Sequence, residues 1–148
     1  MEDFITFDQF DIVGGGAKIG VLVGKGSPEI SMPSFFLGVQ SQLKILHWQT
    51  TSFAQHNAFG DTYGSLDGLI DSFIEVYQGK YGRVKVDGES IQLSNLNEIK
   101  LGEFLESICS YLMCLKDYLD ESRDTDLLNL KDEMLAAINK LKYLLTLK

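Results

Sequence analysis

Two histidines and two carboxylates are the residues of this chain whose types and spacing suit a metal ion. His47 and His56 are its only histidines, and Asp71 and Glu75 lie one helical turn apart. Imidazole nitrogens and carboxylate oxygens suit first-row transition metals, including ferrous iron. Asp67, one turn earlier, either joins them or accepts a hydrogen bond behind the ligands. The alternative is a solvated acidic stripe with a structural histidine.

The composition indicates a soluble, acidic domain. The formal net charge of -8 predicts a surface that repels nucleic acid unless positive charge is segregated, and no basic run segregates it. A chain of 148 residues is long enough for one domain with a sizeable core. No stretch is apolar enough to predict a membrane helix. The first residues do not resemble a signal peptide, so we expect a cytoplasmic protein.

Residues 1–32 differ in composition from the rest of the chain. They hold six of the 14 glycines, between short β-branched runs. Such runs predict one or two short strands or an extended arm. The glycines lack the spacing of a phosphate-binding loop. We therefore divide the chain into an N-terminal arm, 1–32, which would contact a partner, and a helical domain, 33–148.

Helical periodicity begins at Pro33, a residue that suits a first helical turn. The pattern predicts four helices, of which the second and third begin at capping-box sequences. The first, second and fourth predicted helices cover 33–50, 52–81 and 127–145. The third follows an apolar stripe that ends near residue 119. Tight turns make each consecutive pair antiparallel, and the long link, 82–97, can run back along the bundle. The predicted fold is an all-α four-helix bundle with one long crossover, the ferritin-like arrangement.

The second predicted helix has an unusual polar face. At 100° per residue, its candidate ligands fall on one side, away from the apolar stripe. Three glycines spaced four apart line the same side: Gly60, Gly64 and Gly68. Each glycine costs a helix interior about 1 kcal/mol relative to alanine. The stripe therefore predicts close approach by another backbone or a bulky side chain, the alternative being a kinked, weak helix.

Three short motifs resemble those of the Dps-like mini-ferritins, a ferritin-like family that oxidises and stores iron. They are His47-Trp48, then Phe53-Ala54-Gln55-His56, then, fifteen residues later, Asp71-Ser72-Phe73-Ile74-Glu75. The resemblance covers about residues 34–81. Within it, the segment 53–82 looks closer to a small branch encoded by tailed phages and large DNA viruses. The link between the two histidines is shorter than in typical members, and a lysine-rich DNA-binding tail is missing.

The resemblance implies a ferroxidase with a di-iron site shared between two subunits. One subunit would supply His47 and His56, and its two-fold partner Asp71 and Glu75, with peroxide or dioxygen as the oxidant. Trp48 would shield the site or simply pack. The protein would then be a homo-oligomer, dimeric through the second helix and up to a shell of twelve. The alternative function is a virion structural or assembly protein whose N-terminal arm binds a neighbouring protein.

Overall fold

The computed structural model describes residues 31–86, 88 and 90–148, so the expected strands of the N-terminal arm lie outside the described residues. Four α-helices form, and no strand occurs in the described part of the chain. They are α1 Met32–Gln49, α2 Phe53–Tyr81, α3 Leu101–Cys114 and α4 Thr125–Leu144. The prediction of a helical bundle is confirmed, with α1 beginning one residue before the expected domain boundary. None of the described helices combines the length and apolarity needed to cross a membrane.

Serine caps begin the first two helices. The hydroxyl of Ser31 accepts the backbone N–H of Ser34 at 3.4 Å, and Pro33 occupies the first turn. Ser52 accepts the N–H of Gln55 at 3.3 Å at the start of α2. Each hydroxyl satisfies a backbone donor that has no partner within the helix, which fixes where the helix starts. The turn between α1 and α2 is therefore only three residues long, 50–52.

Aromatic rings from three helices meet in the core. Phe35 stacks on Tyr111 with ring centroids 3.5 Å apart, and Phe36 meets Phe73 edge-on at 5.6 Å. Burying one such ring contributes about 2–3 kcal/mol. These contacts hold α1 against both α2 and α3, while α4 packs on α2 and α3. The exposed face of α2 is consequently left on the opposite side from the core.

Two glutamines of α1 bind the long link between α2 and α3. The buried amide of Gln42 donates to the carbonyl of Ser94 at 2.9 Å and accepts its N–H at 2.8 Å. Two turns later, Gln49 accepts the N–H of Leu96 at 2.7 Å and donates to the side chain of Asn95 at 2.8 Å. The end of the link, residues 94–96, therefore lies alongside the second half of α1.

The third helix departs from its sequence pattern at both ends. The predicted capping box at Asn95 forms only a turn, and α3 begins at Leu101, because the segment before it is bound to α1. The helix ends at Cys114 and continues as a 3-10 turn, although the apolar pattern reaches Leu119. Shortly afterwards the Asp120 carboxylate accepts two backbone N–H groups, and such local bonds compete with a continuing helix.

Candidate metal centre

The turn between α1 and α2 brings the two histidines into contact. His47 lies in the last turn of α1 and His56 in the first turn of α2. Their imidazole rings stack, with centroids 3.8 Å apart and an angle of 22° between the planes. We call these two residues the histidine pair. The three-residue turn between the two helices thus allows close approach of both rings.

Reciprocal hydrogen bonds determine which nitrogen of each ring carries the proton. Nδ1 of His47 lies 2.7 Å from the carbonyl oxygen of His56, and Nδ1 of His56 lies 3.0 Å from the carbonyl oxygen of His47. A carbonyl oxygen can only accept, so each Nδ1 carries a hydrogen and donates it. In the neutral ring, Nε2 then holds the free lone pair. Histidines that bind metals are commonly oriented by such a bond from the second ring nitrogen.

Gly60 and Tyr63 of α2 hold the ring of His47. A Cβ atom added at Gly60 would lie 2.9 Å from Cε1 and 3.1 Å from Nδ1 of His47, too close for both to remain in place. The edge of the Tyr63 ring lies against the imidazole at a centroid distance of 5.3 Å. Lys44 in turn places its ammonium 5.4 Å from the centre of the Tyr63 ring, a cation–π contact. The sequence alone did not predict that the His47 ring would pack against Gly60 in particular.

The other two glycines of the stripe remain open. A Cβ atom at Gly64 or Gly68 would meet no neighbouring atom within 4 Å among the residues that the structure describes. Close approach by a bulky side chain thus accounts for Gly60 but for neither of the others. Their position on the exposed face leaves room for the backbone of another molecule.

The carboxylates lie further along α2. Asp71 and Glu75 are exposed, one turn apart on the same side of the helix. Asp67, also exposed, accepts a hydrogen bond from the amide of Gln40 in α1 at 2.7 Å. Asp67 and Asp71 border a groove of about 430 Å³ between α1 and α2, which we call the α1–α2 groove. Leu37 of α1 forms part of its apolar wall.

The histidine pair and the carboxylates of one chain are too far apart to share an ion. Fifteen residues of α-helix separate His56 from Asp71, a distance of about 22 Å along the axis. In keeping with this, no cluster of three or more metal-binding side chains occurs within the described residues. Each chain therefore presents two separate groups of candidate ligands, the histidine pair and the carboxylates, which we call the half-sites.

Two large aromatic side chains beside the histidine pair are exposed to solvent. Trp48 follows His47 and has 66% of its surface exposed, while Phe53, at the start of α2, has 79% exposed. We call them the aromatic pair. Isolated apolar residues on a surface are common, but two exposed aromatic rings beside a candidate site form an apolar patch of the surface.

A second polar cluster joins the end of α2 to the start of α4. The carboxylate of Asp124 is almost completely buried and accepts the hydroxyl of Tyr81 at 2.7 Å, the ammonium of Lys80 at 3.2 Å and the N–H of Asp120 at 2.8 Å. Burial opposes its ionisation, but these hydrogen bonds outweigh burial and keep the pKa of Asp124 below its ordinary value. These hydrogen bonds hold the end of α2 against the start of α4, so we assign the cluster a structural role.

Comparison with known proteins gives one match. The model of a family described as a family of unknown function (DUF5856) matches residues 47–145. The matched segment begins at the first residue of the histidine pair and includes both carboxylates. No curated protein and no solved structure matches the chain.

Proposed function

We propose a function for this chain, which belongs to the DUF5856 family of unknown function: it is a Dps-like, ferritin-like protein that binds and oxidises Fe(II) between two copies of itself. One observation carries the proposal. The reciprocal bonds between the Nδ1 atoms and carbonyls of His47 and His56 leave the Nε2 lone pair of each stacked ring free to bind a metal. Two neutral imidazoles and two carboxylates form a donor set that fits Fe(II).

A two-fold axis at Gly64 would unite the half-sites. When two copies of α2 pair antiparallel about such an axis, each residue faces one that lies equally far from Gly64 in the opposite direction. His56 of one copy then faces residue 72 of the second copy, between the second copy's Asp71 and Glu75. Both open glycines lie at this contact, where the absence of a Cβ allows two backbones to approach closely.

The chemistry follows from this donor set. Fe(II) is the substrate: two ions give up one electron each, and peroxide takes both electrons with two protons and leaves as two waters. Nε2 of the histidine pair and the carboxylates of the second copy hold the ions, while the Nδ1–H bonds keep the rings in orientation. The net charge of -8 raises the local concentration of cations at the surface.

The direct test is metal binding by the purified protein under anaerobic conditions, followed by addition of peroxide. Wild type should bind Fe(II) and develop ferric absorbance. His56→Ala should lose both, because one imidazole ligand is gone from each site. Lys140→Ala, an exposed truncation on α4, should retain both and serves as the matched control. A wild-type protein that binds no iron, or a His56→Ala variant that binds it normally, would contradict the proposal.

A further inference from the structure

The α1–α2 groove combines apolar walls with an acidic rim. Its volume is about 430 Å³, and Phe36, Leu37 and Ile74 are among the side chains that line it. Leu37 has 51% of its surface exposed, although it is an aliphatic residue of α1. Asp67 and Asp71 also border the groove, and neither takes part in an ion pair within the described part of the chain. The groove therefore suits an apolar segment that carries positive charge.

One end of the groove lies where the described part of the chain begins. α1 and α2 run antiparallel, and the hydrogen bond from Gln40 to Asp67 fixes their register. In this register Pro33 lies at the level of Ile74, so both residues lie at the same end of the groove. The description of the chain starts two residues before Pro33. The preceding segment of the same chain, 1–30, is therefore attached at this end of the groove.

One part of the N-terminal arm has the composition that the groove favours. It covers residues 18–25, which we call the lysine-flanked run, and reads Lys18-Ile19-Gly20-Val21-Leu22-Val23-Gly24-Lys25. The only two lysines of the arm lie at its ends, and no acidic residue occurs from 12 to 28. The other apolar run of the arm, Phe10-Asp11-Ile12-Val13, contains a carboxylate, which the acidic rim would repel. Charge thus favours the lysine-flanked run as the occupant.

The lysine-flanked run also matches the groove in length and lies within reach of it. The groove extends from Pro33 to Gln40 along α1, which is about 10 Å of helix. In an extended chain the β-branched residues of the run would share one face, because side chains alternate, and would cover about 13 Å. The connection from Lys25 to Ser31 can span about 20 Å. It contains Gly26-Ser27-Pro28, residue types that favour the turn needed to bring the run back along α1.

We propose that the lysine-flanked run docks in the α1–α2 groove of its own chain, with Val21 and Val23 against Leu37 and the two lysines beside the rim. The apolar face covers the exposed surface of Leu37, and the ammonium groups supply counterions to Asp67 and Asp71. A tethered segment needs little intrinsic affinity, because the tether keeps its effective concentration at the groove high. No metal takes part in this contact, so it stands or fails independently of the proposed function.

Disulfide trapping in the metal-free full chain tests this contact. Leu37→Cys and Val21→Cys are introduced together with Cys114→Ser, so that the remaining native thiol, Cys109, is buried. The matched control pairs Leu37→Cys with Val13→Cys from the other apolar run. Under mild oxidation we expect the first pair to form an intramolecular disulfide at least about tenfold faster than the control, since tether length alone accounts for only about a twofold difference.

Charge reversal in the arm gives a second measurement on the same cysteine pair. Lys18→Glu together with Lys25→Glu places negative charge beside the acidic rim, so trapping should slow at least about threefold. Lys140→Glu together with Lys148→Glu changes the net charge equally at exposed positions outside the groove and should leave the rate unchanged.

Each outcome decides the question. Equal trapping rates for the two cysteine pairs, or a rate that charge reversal in the arm leaves unchanged, overturn the inference. Disulfide-linked dimers in place of the intramolecular bond also overturn it, because the arm of a second copy would then occupy the groove. Circular dichroism checks the fold of every variant. If Leu37→Cys fails to fold, Ile74→Cys on the α2 side of the groove takes its place.

Discussion

Gly60 is the residue on which the geometry of the histidine pair depends. The imidazole of His47 occupies the space that any larger side chain at this position would need. Glycine weakens the interior of α2, but it lets the His47 ring lie close to that helix with Nδ1 bonded to the carbonyl of His56. The orientation of the His47 imidazole is therefore set in part by a residue that carries no side chain.

Replacing Gly60 by alanine should weaken iron binding without unfolding the protein. The new methyl group would displace the ring of His47, a side chain that can rotate away, so the cost falls on the site and not on the fold. We expect about a 10–100-fold loss of iron affinity, measured by anaerobic titration. Gly79→Ala, in the same helix with open space around it, should bind iron normally and gain up to about 1 kcal/mol of stability. Equal affinities in the two variants would show that Gly60 does not position the ring.

Asp124 is the other residue with a large expected effect. Its carboxylate is ionised and buried among Tyr81, Lys80 and backbone N–H groups, and its pKa is lowered. A group whose pKa is lower in the folded state stabilises the protein above the pKa of the unfolded state. That contribution is lost as the pH falls through the folded-state pKa.

Asp124→Asn should lower the free energy of unfolding by about 2–3 kcal/mol at neutral pH, since hydrogen bonds to a charged group are lost. The difference from wild type should shrink below about pH 4, where the unfolded carboxyl group takes up a proton. Urea denaturation at neutral and acidic pH measures both effects. Glu133→Gln, an exposed carboxylate on α4, is the matched control and should change little. A difference that is independent of pH would contradict the role of ionised Asp124.

At the scale of elements, α1 is the helix that organises the others. One side of it contributes aromatic rings to the core, another presents the first half of the histidine pair, and a third binds the link between α2 and α3 through glutamines. Gln42 and Gln49 each donate one hydrogen bond to the link through the amide nitrogen and accept one through the amide oxygen. The first of these amides is buried and the second exposed.

Because only the Gln42 amide is buried, we expect the two amides to contribute very unequally to the stability of the protein. Gln42→Ala removes a fully buried amide and leaves the backbone N–H and C=O of half-buried Ser94 without these partners, so it should cost about 2–4 kcal/mol. Gln49→Ala exposes similar groups to water, which replaces the lost bonds, so we expect less than about 1 kcal/mol. Thermal and urea denaturation of the two variants give the comparison. Hydrogen exchange at the amide of Ser94 should accelerate only in Gln42→Ala. Equal losses of stability in the two variants would mean that the buried amide of Gln42 does not hold the link.

At the scale of the whole molecule, the histidine pair and the carboxylates of one chain are too far apart to bind the same ion. His56 and Asp71 lie on one face of α2, about 22 Å apart along the helix axis, and His47 lies beside His56. No change of rotamer can bridge that distance. Iron binding by this donor set accordingly requires a second copy and should depend on protein concentration wherever the dimer dissociates.

Mixing two inactive variants should restore iron binding if the site is shared. One variant carries His47→Ala and His56→Ala, and the other carries Asp71→Asn and Glu75→Gln. A mixed dimer contains one intact site and one empty site, so equal mixing should recover about a quarter of the wild-type sites. Anaerobic iron titration of the separate and mixed samples, refolded or exchanged together, gives the measurement. Failure to recover any binding, despite mixed dimers detected by native mass, would argue against a shared site.

The helices themselves were largely predictable from sequence. The apolar repeat of 3.6 residues and the serine caps are local signals, and they located α1 and α2 to within a residue at most boundaries. The third helix was predicted less well, because its start and end depend on contacts with α1 and on the Asp120 turn. Hydrogen bonds made across the fold override a local helical pattern there.

The sequence by itself determined the chemical types of the four candidate ligands, their spacing along the chain and the acidic character of the protein. Only the tertiary structure decided that the histidines stack, that each Nδ1 donates to the other's carbonyl, and that Gly60 makes room for one of them. The physical reason is that ligand types and helical spacing are properties of neighbouring residues. The position of an imidazole ring depends on how α1 packs against α2, which the whole core fixes.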